Sequence, residues 1–269
     1  MGSQLNISLA QVEVSSDPMR NLDTANSLAS RAAGEQSDLI VLPEMFMAVP
    51  GPEKRPVDYA EDLHGQFVNR LCEIASGNSI YLLAGIWEKV DSVNKAGNTL
   101  VLISPAGELK SAYRKVHLFD SLNKKESDTM QEGGSIPELC YVKDFLVGCG
   151  ICYDLRFPEL FRMQSLKGAE LLILPSAWYQ DNCKEEQWMT LLRARALENT
   201  VFVAGCNQVG EKFSGRSALV DPFGVVLTDL GEASGLRTVS INKDRLLQVR
   251  DKLPVLNHCR HDIYDLSDR

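Results

Sequence analysis

Residues 38–46 read DLIVLPEMF, and residues 170–178 read ELLILPSAW. Each has an acidic lead, an aliphatic run, a Leu-Pro step and an aromatic at its close. A short continuous apolar run ended by a breaker is the pattern of a strand buried on both faces. A second pair follows in the same order: NTLVLISPAGEL at 98–109 lies over RSALVDPFGVVL at 216–227, each a strand, a Pro/Gly turn and a second strand. Two matches in one order point to an internal duplication of one α/β unit. Two related sheets, each covered by helices on one face, then pack against each other in layers. A single parallel sheet buried on both faces is the alternative.

The elements around these repeats alternate in kind. Residues 5–11 alternate apolar and polar, as a half-buried strand does. Asp17-Pro18 reads as an N-cap followed by proline in the first turn, and Leu22, Ala25, Leu28, Ala29, Ala32 and Ala33 share one helical face that Gly34 is placed to end. A second helix is expected around Phe67 and Leu71, and strands at 80–87, 99–104 and 109–116. The second half predicts a strand at 145–151, a helix at 158–167, a strand at 171–175, a helix at 185–199, and strands at 201–206, 217–221, 225–230 and 237–241. No linker composition divides the chain, so residues 1–269 are expected to form one domain. The polar stretches 49–58 and 121–134 read as long loops, which in such domains are often functional.

With 28 basic and 36 acidic residues the formal net charge is -8, which argues against nucleic-acid binding. No apolar run approaches the roughly 20 residues of a spanning helix, and the first residues carry no signal-peptide pattern. A cytoplasmic protein with no membrane partner is expected. Seven cysteines make an odd count, so free thiols in a reducing compartment are expected rather than a disulfide framework.

In α/β sheets, ligands collect beyond the carboxyl ends of strands. Glu44 follows the first buried strand, Lys115 closes the strand at 109–116, and Cys152 follows the strand at 145–151. A thiol between a strand end and a helix N-terminus is expected to have a lowered pKa; a small buried cysteine is the plainer reading. Cys149 and Cys152 also form a CxxC, but Cys149 falls inside the expected strand, unlike a redox pair. Cys140 and the run His258-Cys259-Arg260-His261 fit no standard zinc spacing, so no metal is expected. Buried, Glu44 suits general acid/base work, and Lys115 suits stabilising an oxyanion; at the surface, both are ordinary. His117, two residues from Lys115, is a candidate partner for Cys152.

LPEMF (42–46), YRKVHLF (113–119) and GICYDLRFPEL (150–160) resemble the three catalytic segments of the nitrilase superfamily of carbon–nitrogen hydrolases. The resemblance runs from Asn6 to about Tyr264 and includes LPSAW, LLRARALENTVFVAG and DPFG. It implies a four-layer αββα sandwich, a cysteine nucleophile at Cys152, a general base at Glu44, and Lys115 holding the tetrahedral intermediate with the Tyr153 backbone N–H. Glu126 in KKESDTM resembles the family's second glutamate, which orients the lysine, with Glu132 as the nearby alternative. The implied reaction is amide hydrolysis through a thioester, without a cofactor. Within the family, residues 184–200 and 249–262 resemble the bacterial deaminated-glutathione amidases, with the ω-amidases close by. Where these branches carry a Gly-Pro-Ala-His-Trp-like stretch, this chain has Lys184-Glu185-Glu186-Gln187-Trp188. The substrates are anionic amides, so a local cation is expected among Arg156, Lys184 and Arg193, while Arg193 and Arg195 with Glu198 read equally as intrahelical pairs. Phe46, Tyr153 and Trp178 are expected to line the pocket. The resemblance also implies a homodimer, with the tail at about 251–269 at its interface.

Overall fold

The computed structural model describes residues 3–92, 94–121, 124–260 and 262–263. The first half supplies β1 (Gln4–Gln11), α1 (Pro18–Gly34), β2 (Leu39–Val41), α2 (Gln66–Gly77), β3 (Tyr81–Lys89), β4 (Ala96–Ile103) and β5 (Leu109–Arg114). The second supplies β6 (Cys140–Val142), β7 (Phe145–Cys149), α3 (Pro158–Leu166), β8 (Leu171–Ser176), α4 (Lys184–Asn199), β9 (Phe202–Asn207), β10 (Ala218–Val220) and β11 (Val226–Asp229). The chain then returns to the first sheet with β12 (Gly235–Asn242) and closes with α5 (Lys243–Lys252). One sheet runs β12-β1-β2-β3-β4-β5 and the other β6-β7-β8-β9-β10-β11. In each, three central parallel strands are flanked by antiparallel ones.

The buried strands explain the layering. Successive side chains on a strand point to opposite faces. Leu39 and Val41 enter a core shared with Leu171 and Ile173 between the sheets. Ile40 and Leu42 face the other way, onto Leu22, Ala25 and Ala29 of α1 and Phe67 and Leu71 of α2. Leu172 and Leu174 likewise face Leu160 and Phe161 of α3 and Trp188 and Leu192 of α4. The result is four layers, helices–sheet–sheet–helices, and the single-sheet alternative falls. At the start of α1, Asp17 accepts from Met19 N at 3.0 Å, a cap worth about 1 kcal/mol.

The duplication extends to hydrogen bonds, with one correction. The overlay of 98–109 on 216–227 slides by one residue, so that Ser104 matches Asp221. Ser104 Oγ accepts from the amides of Ala106 and Glu108, and Asp221 Oδ1 from those of Phe223 and Val225. Gly107 (φ 77°) and Gly224 (φ 74°) then occupy the same left-handed turn position, and each pair of strands carries a register shift, between Leu102 and Ile103 and between Leu219 and Val220. Two expectations shift at strand ends: β5 stops at Arg114 and β7 at Cys149, so Lys115 and Cys152 lie past their strands.

Candidate active site

Glu44, Lys115 and Cys152 come from different strand ends and meet in the seam between the sheets. Glu44 follows β2, where the chain crosses tightly over β3. A Cβ added at Gly85 would sit 2.6 Å from Met45 N, so glycine makes that crossing possible. Lys115 is pinned by its amide, which donates to Asn98 O at 2.9 Å. Its side chain is fully buried, as is that of Glu44 apart from 2%. Lys115 Nζ lies 3.0 Å from Glu44 Oε1 and 2.9 Å from Glu126 Oε2. Asn98 Nδ2 donates to Glu44 Oε1 at 2.8 Å, and the Ala177 amide, from the second sheet, donates to Glu44 Oε2 at 2.7 Å. Phe119 N donates to Glu126 Oε2 at 2.8 Å. Glu126 therefore meets Lys115, whereas Glu132 is exposed.

The electrostatics follow from burial. Desolvation alone would discharge Lys115, but the Glu44 and Glu126 charges outweigh it and hold the ammonium well above its ordinary value. Burial raises the Glu126 pKa, against the opposing pull of Lys115. The Cys152 thiol is pushed well up, first by burial and then by Glu44, with Lys115 opposing. This reverses the expectation of a thiol activated by a helix end. A short 3₁₀ turn, Cys152–Arg156, intervenes before α3 begins, and loss of hydration dominates. The resting group is a neutral thiol that needs a base.

Cys152 itself sits at φ 45°, a left-handed conformation costly for a residue with a side chain. Asp154, fully buried, braces the turn. Its Oδ2 accepts from Ile151 N and from Tyr113 Oη, each at 2.8 Å, and its Oδ1 from His117 N at 3.2 Å. The His117 ring is committed there too: Nδ1 lies 2.7 Å from Asp154 Oδ1, and the ring stacks on Phe157 at 3.6 Å between centroids. His117 thus serves the turn, rather than pairing with Cys152.

A cleft opens onto Glu44, Glu126 and Cys152. Of the expected pocket residues, Tyr153, Trp178, Arg156 and Lys184 line it. Phe46 does not: it is fully buried in the core beneath α1 and α2, and Met45 lines the cleft in its place. Arg193 turns to Gly224 O at 3.0 Å, and Arg195 pairs with Glu198 at 2.7 Å while bonding Leu155 O. Phe119, Ala177 and Tyr179 also line the cleft and were not anticipated, nor was Asn98 beneath Glu44. Burial, then the Glu44 charge, pushes the Tyr179 hydroxyl up to about 12.

Cys149 is raised above the ordinary thiol range, chiefly by burial, which removes the low-pKa partner a CxxC redox pair needs. All seven cysteines are free. Among the described residues no cluster of three or more His, Cys, Asp or Glu could hold a metal; His261 lies outside them. No helix among the described residues is long and apolar enough to cross a membrane.

The family profile for carbon–nitrogen hydrolases matches residues 3–251. The chain is 36% identical over 255 residues to a deaminated glutathione amidase of Escherichia coli O157:H7, covering 94% of this chain and 97% of that one. It is 35% identical over 279 residues to an omega-amidase of Xenopus tropicalis, covering 99% of each chain. In structure it is similar to an amidase of the nitrilase superfamily from Nesterenkonia AN1, with a TM-score of 0.85, 27% identity, and 98% of this chain and 97% of that one covered. Another structure of a Nesterenkonia AN1 amidase is described as showing Michael addition of acrylamide at the active site cysteine.

Proposed function

This chain belongs to the carbon–nitrogen hydrolase family, and from that premise we propose that Cys152, Glu44 and Lys115 carry out amide hydrolysis, with Glu126 orienting the lysine. The chain is an amidohydrolase. The observation that carries the residue assignment is the buried Glu44–Lys115–Glu126 set at the foot of a cleft that also exposes the Cys152 thiol.

The set holds two carboxylates, one ammonium and a neutral thiol. Glu44 takes the Cys152 proton, so negative charge moves onto sulfur beside Lys115 without changing the net charge of the buried site. The thiolate attacks the amide carbonyl. Lys115 and the Tyr153 backbone N–H stabilise the oxyanion, a role worth roughly 10²–10³ in rate per donor. Glu44 then protonates the departing ammonia, leaving a thioester. It next takes a proton from water, which attacks the thioester and releases the carboxylic acid and the thiol. The reaction balances without a metal or organic cofactor.

The substrate class is a small amide bearing a carboxylate, with deaminated glutathione the first reading, and Arg156, Tyr153 and Trp178 the binding residues. The ω-amide 2-oxoglutaramate is the second, favoured by the full-length similarity to an omega-amidase. An N-carbamoyl compound would use the same thioester chemistry. We read residues 1–269 as one hydrolase domain of a cytoplasmic homodimer, its tail at about 251–269 contributing to the interface. Exposed Leu253 and Ile263 support the last point. Ammonia release is the test, measured on deaminated glutathione, 2-oxoglutaramate, an N-carbamoyl amine and a simple nitrile. Turnover of the first two, abolished in Cys152→Ala, is expected; undiminished turnover in that variant overturns the mechanism.

A further inference from the structure

Lys184 opens α4, and its placement is unusual for a lysine. A lysine at the surface lays its methylenes on the protein and keeps its ammonium in water. Lys184 is only 8% exposed. Its ammonium stands 5.3 Å from the centroid of Trp178 and 5.6 Å from that of Phe119, two walls of the cleft. Arg156 lies over the same Trp178 ring at 4.9 Å, and its Nη2 donates to the neutral Gln187 Oε1 at 2.6 Å. Among the described residues neither cation is paired with a carboxylate. Asp181 is exposed and uses its Oδ1 to accept from Asn182 N. Burial and then the Arg156 charge lower the Lys184 pKa, with Cys152 and Asp181 opposing. The backbone of Lys184 is fixed on both sides: its carbonyl accepts from Trp178 Nε1 at 3.0 Å, and its amide donates to Asp181 O at 3.1 Å. The residue also borders a second, more open cavity that shares Phe119, Tyr153 and Arg156 with the first.

We propose that Lys184, together with Arg156, forms a carboxylate receptor at the mouth of the cleft and restricts the enzyme to amides whose chain ends in a carboxylate beyond the scissile bond. The two cations are held close at an electrostatic cost that an arriving carboxylate relieves, and the aromatic walls keep water from screening the contact. Lys184 is the specificity-determining member, and this assignment rests on the reading of Cys152 as the nucleophile of an amidase.

Two measurements test it. In a Cys152→Ala background, titration calorimetry with glutarate reads the receptor without any chemistry; adding Lys184→Gln should weaken binding about 10- to 100-fold, the range of a charge-assisted contact. In the active enzyme, Lys184→Gln should lower kcat/KM by a similar factor on an ω-amide carrying a carboxylate. It should leave an uncharged amide of equal length within about threefold, and Lys184→Arg should restore most of the loss. Equal losses on charged and neutral amides, or unchanged glutarate binding in a variant of matching thermal stability, overturn the proposal. If no amide releases ammonia from the unaltered enzyme, the amidase reading fails, while the glutarate titration still decides the receptor.

Discussion

The two halves of this molecule share a plan and differ in what they put at their strand ends. The registers Leu9↔Val41 and Cys149↔Ile173 align the halves residue by residue. Three residues on, Glu44 faces Ser176 in the overlay, and Cys152 faces Val12. From the matched turns at Ser104 and Asp221, Lys115 falls on Glu232. One set of strand ends thus gathers a carboxylate, an ammonium and a thiol, and the matching set has a hydroxyl, an acid and an aliphatic. Ser176 merely bonds Leu174 O, and Glu232 lines a separate cavity with Glu13. Even the backbone is prepared on one side only. Gly85 lets the chain bearing Glu44 pass close by, while the matching Cys206 fills its space with a side chain whose sulfur reaches Ala10 O and Val41 O. Duplication builds the frame, and a handful of substitutions at strand ends builds the chemistry. Buried charge is expensive, so a second charged site would cost stability without a use.

The sharpest way to break this contrast is at the nucleophile. Cys152→Ala should lower amide turnover by about 10⁴-fold or more, with the fold intact by circular dichroism, whereas Val12→Ala should leave kcat within about threefold. Lys115→Met should cost roughly 10²–10³ in kcat and leave Glu44 and Glu126 facing each other without their cation. Its melting temperature should fall more at pH 8 than at pH 5, because the Glu126 carboxyl, already raised by burial, loses the cation that opposes that shift. Glu232→Gln at the matching position should change neither. Asp154→Asn keeps size but turns an acceptor that serves Ile151, Tyr113 and His117 partly into a donor; a loss of about 1.5–3 kcal/mol in urea unfolding is expected, with lower kcat because the Cys152 turn loosens. The smallest effect is on alkaline stability. Cys152 and Cys206 have folded pKa values raised above 9.0, chiefly by burial, and Lys115 is raised above 10.5 by its acids. Their contribution is complete below the unfolded values and is lost as pH rises. Melting temperature should therefore decline progressively above about pH 9. A flat profile to pH 11 contradicts the assigned directions.

Much of this was legible beforehand, for physical reasons. Residues 39–42 and 171–174 are apolar at every position because each strand is covered on both faces, and such runs stand out in a sequence. Glu44, Lys115 and Cys152 stand out because a polar group directly after such a strand is hard to explain by packing. Phe46 misled because Met45 adopts φ 54°, which breaks the two-residue alternation and sends the aromatic into the core. Asn98, Ala177 and Asp154 escaped notice because their partners are distant in the chain: Ala177 is 133 residues from Glu44, and Asp154 is 41 from Tyr113. Helix α5 was missed because it buries little beyond Leu246 and Val249. The direction of the Cys152 shift was misjudged because a helix end is a weaker influence than the loss of hydration and the neighbouring Glu44 charge.

Asp154 has a further consequence. Its carboxylate takes hydrogen bonds from Tyr113 and His117, on the chain that carries Lys115, and from Ile151, on the chain that carries Cys152. It acts as a dowel between two plates that meet across a greasy seam rich in leucine, isoleucine and valine. The gap between base and nucleophile is therefore a machining tolerance of the whole sandwich. A methylene removed deep in that seam, far from any substrate, should register first as slower chemistry.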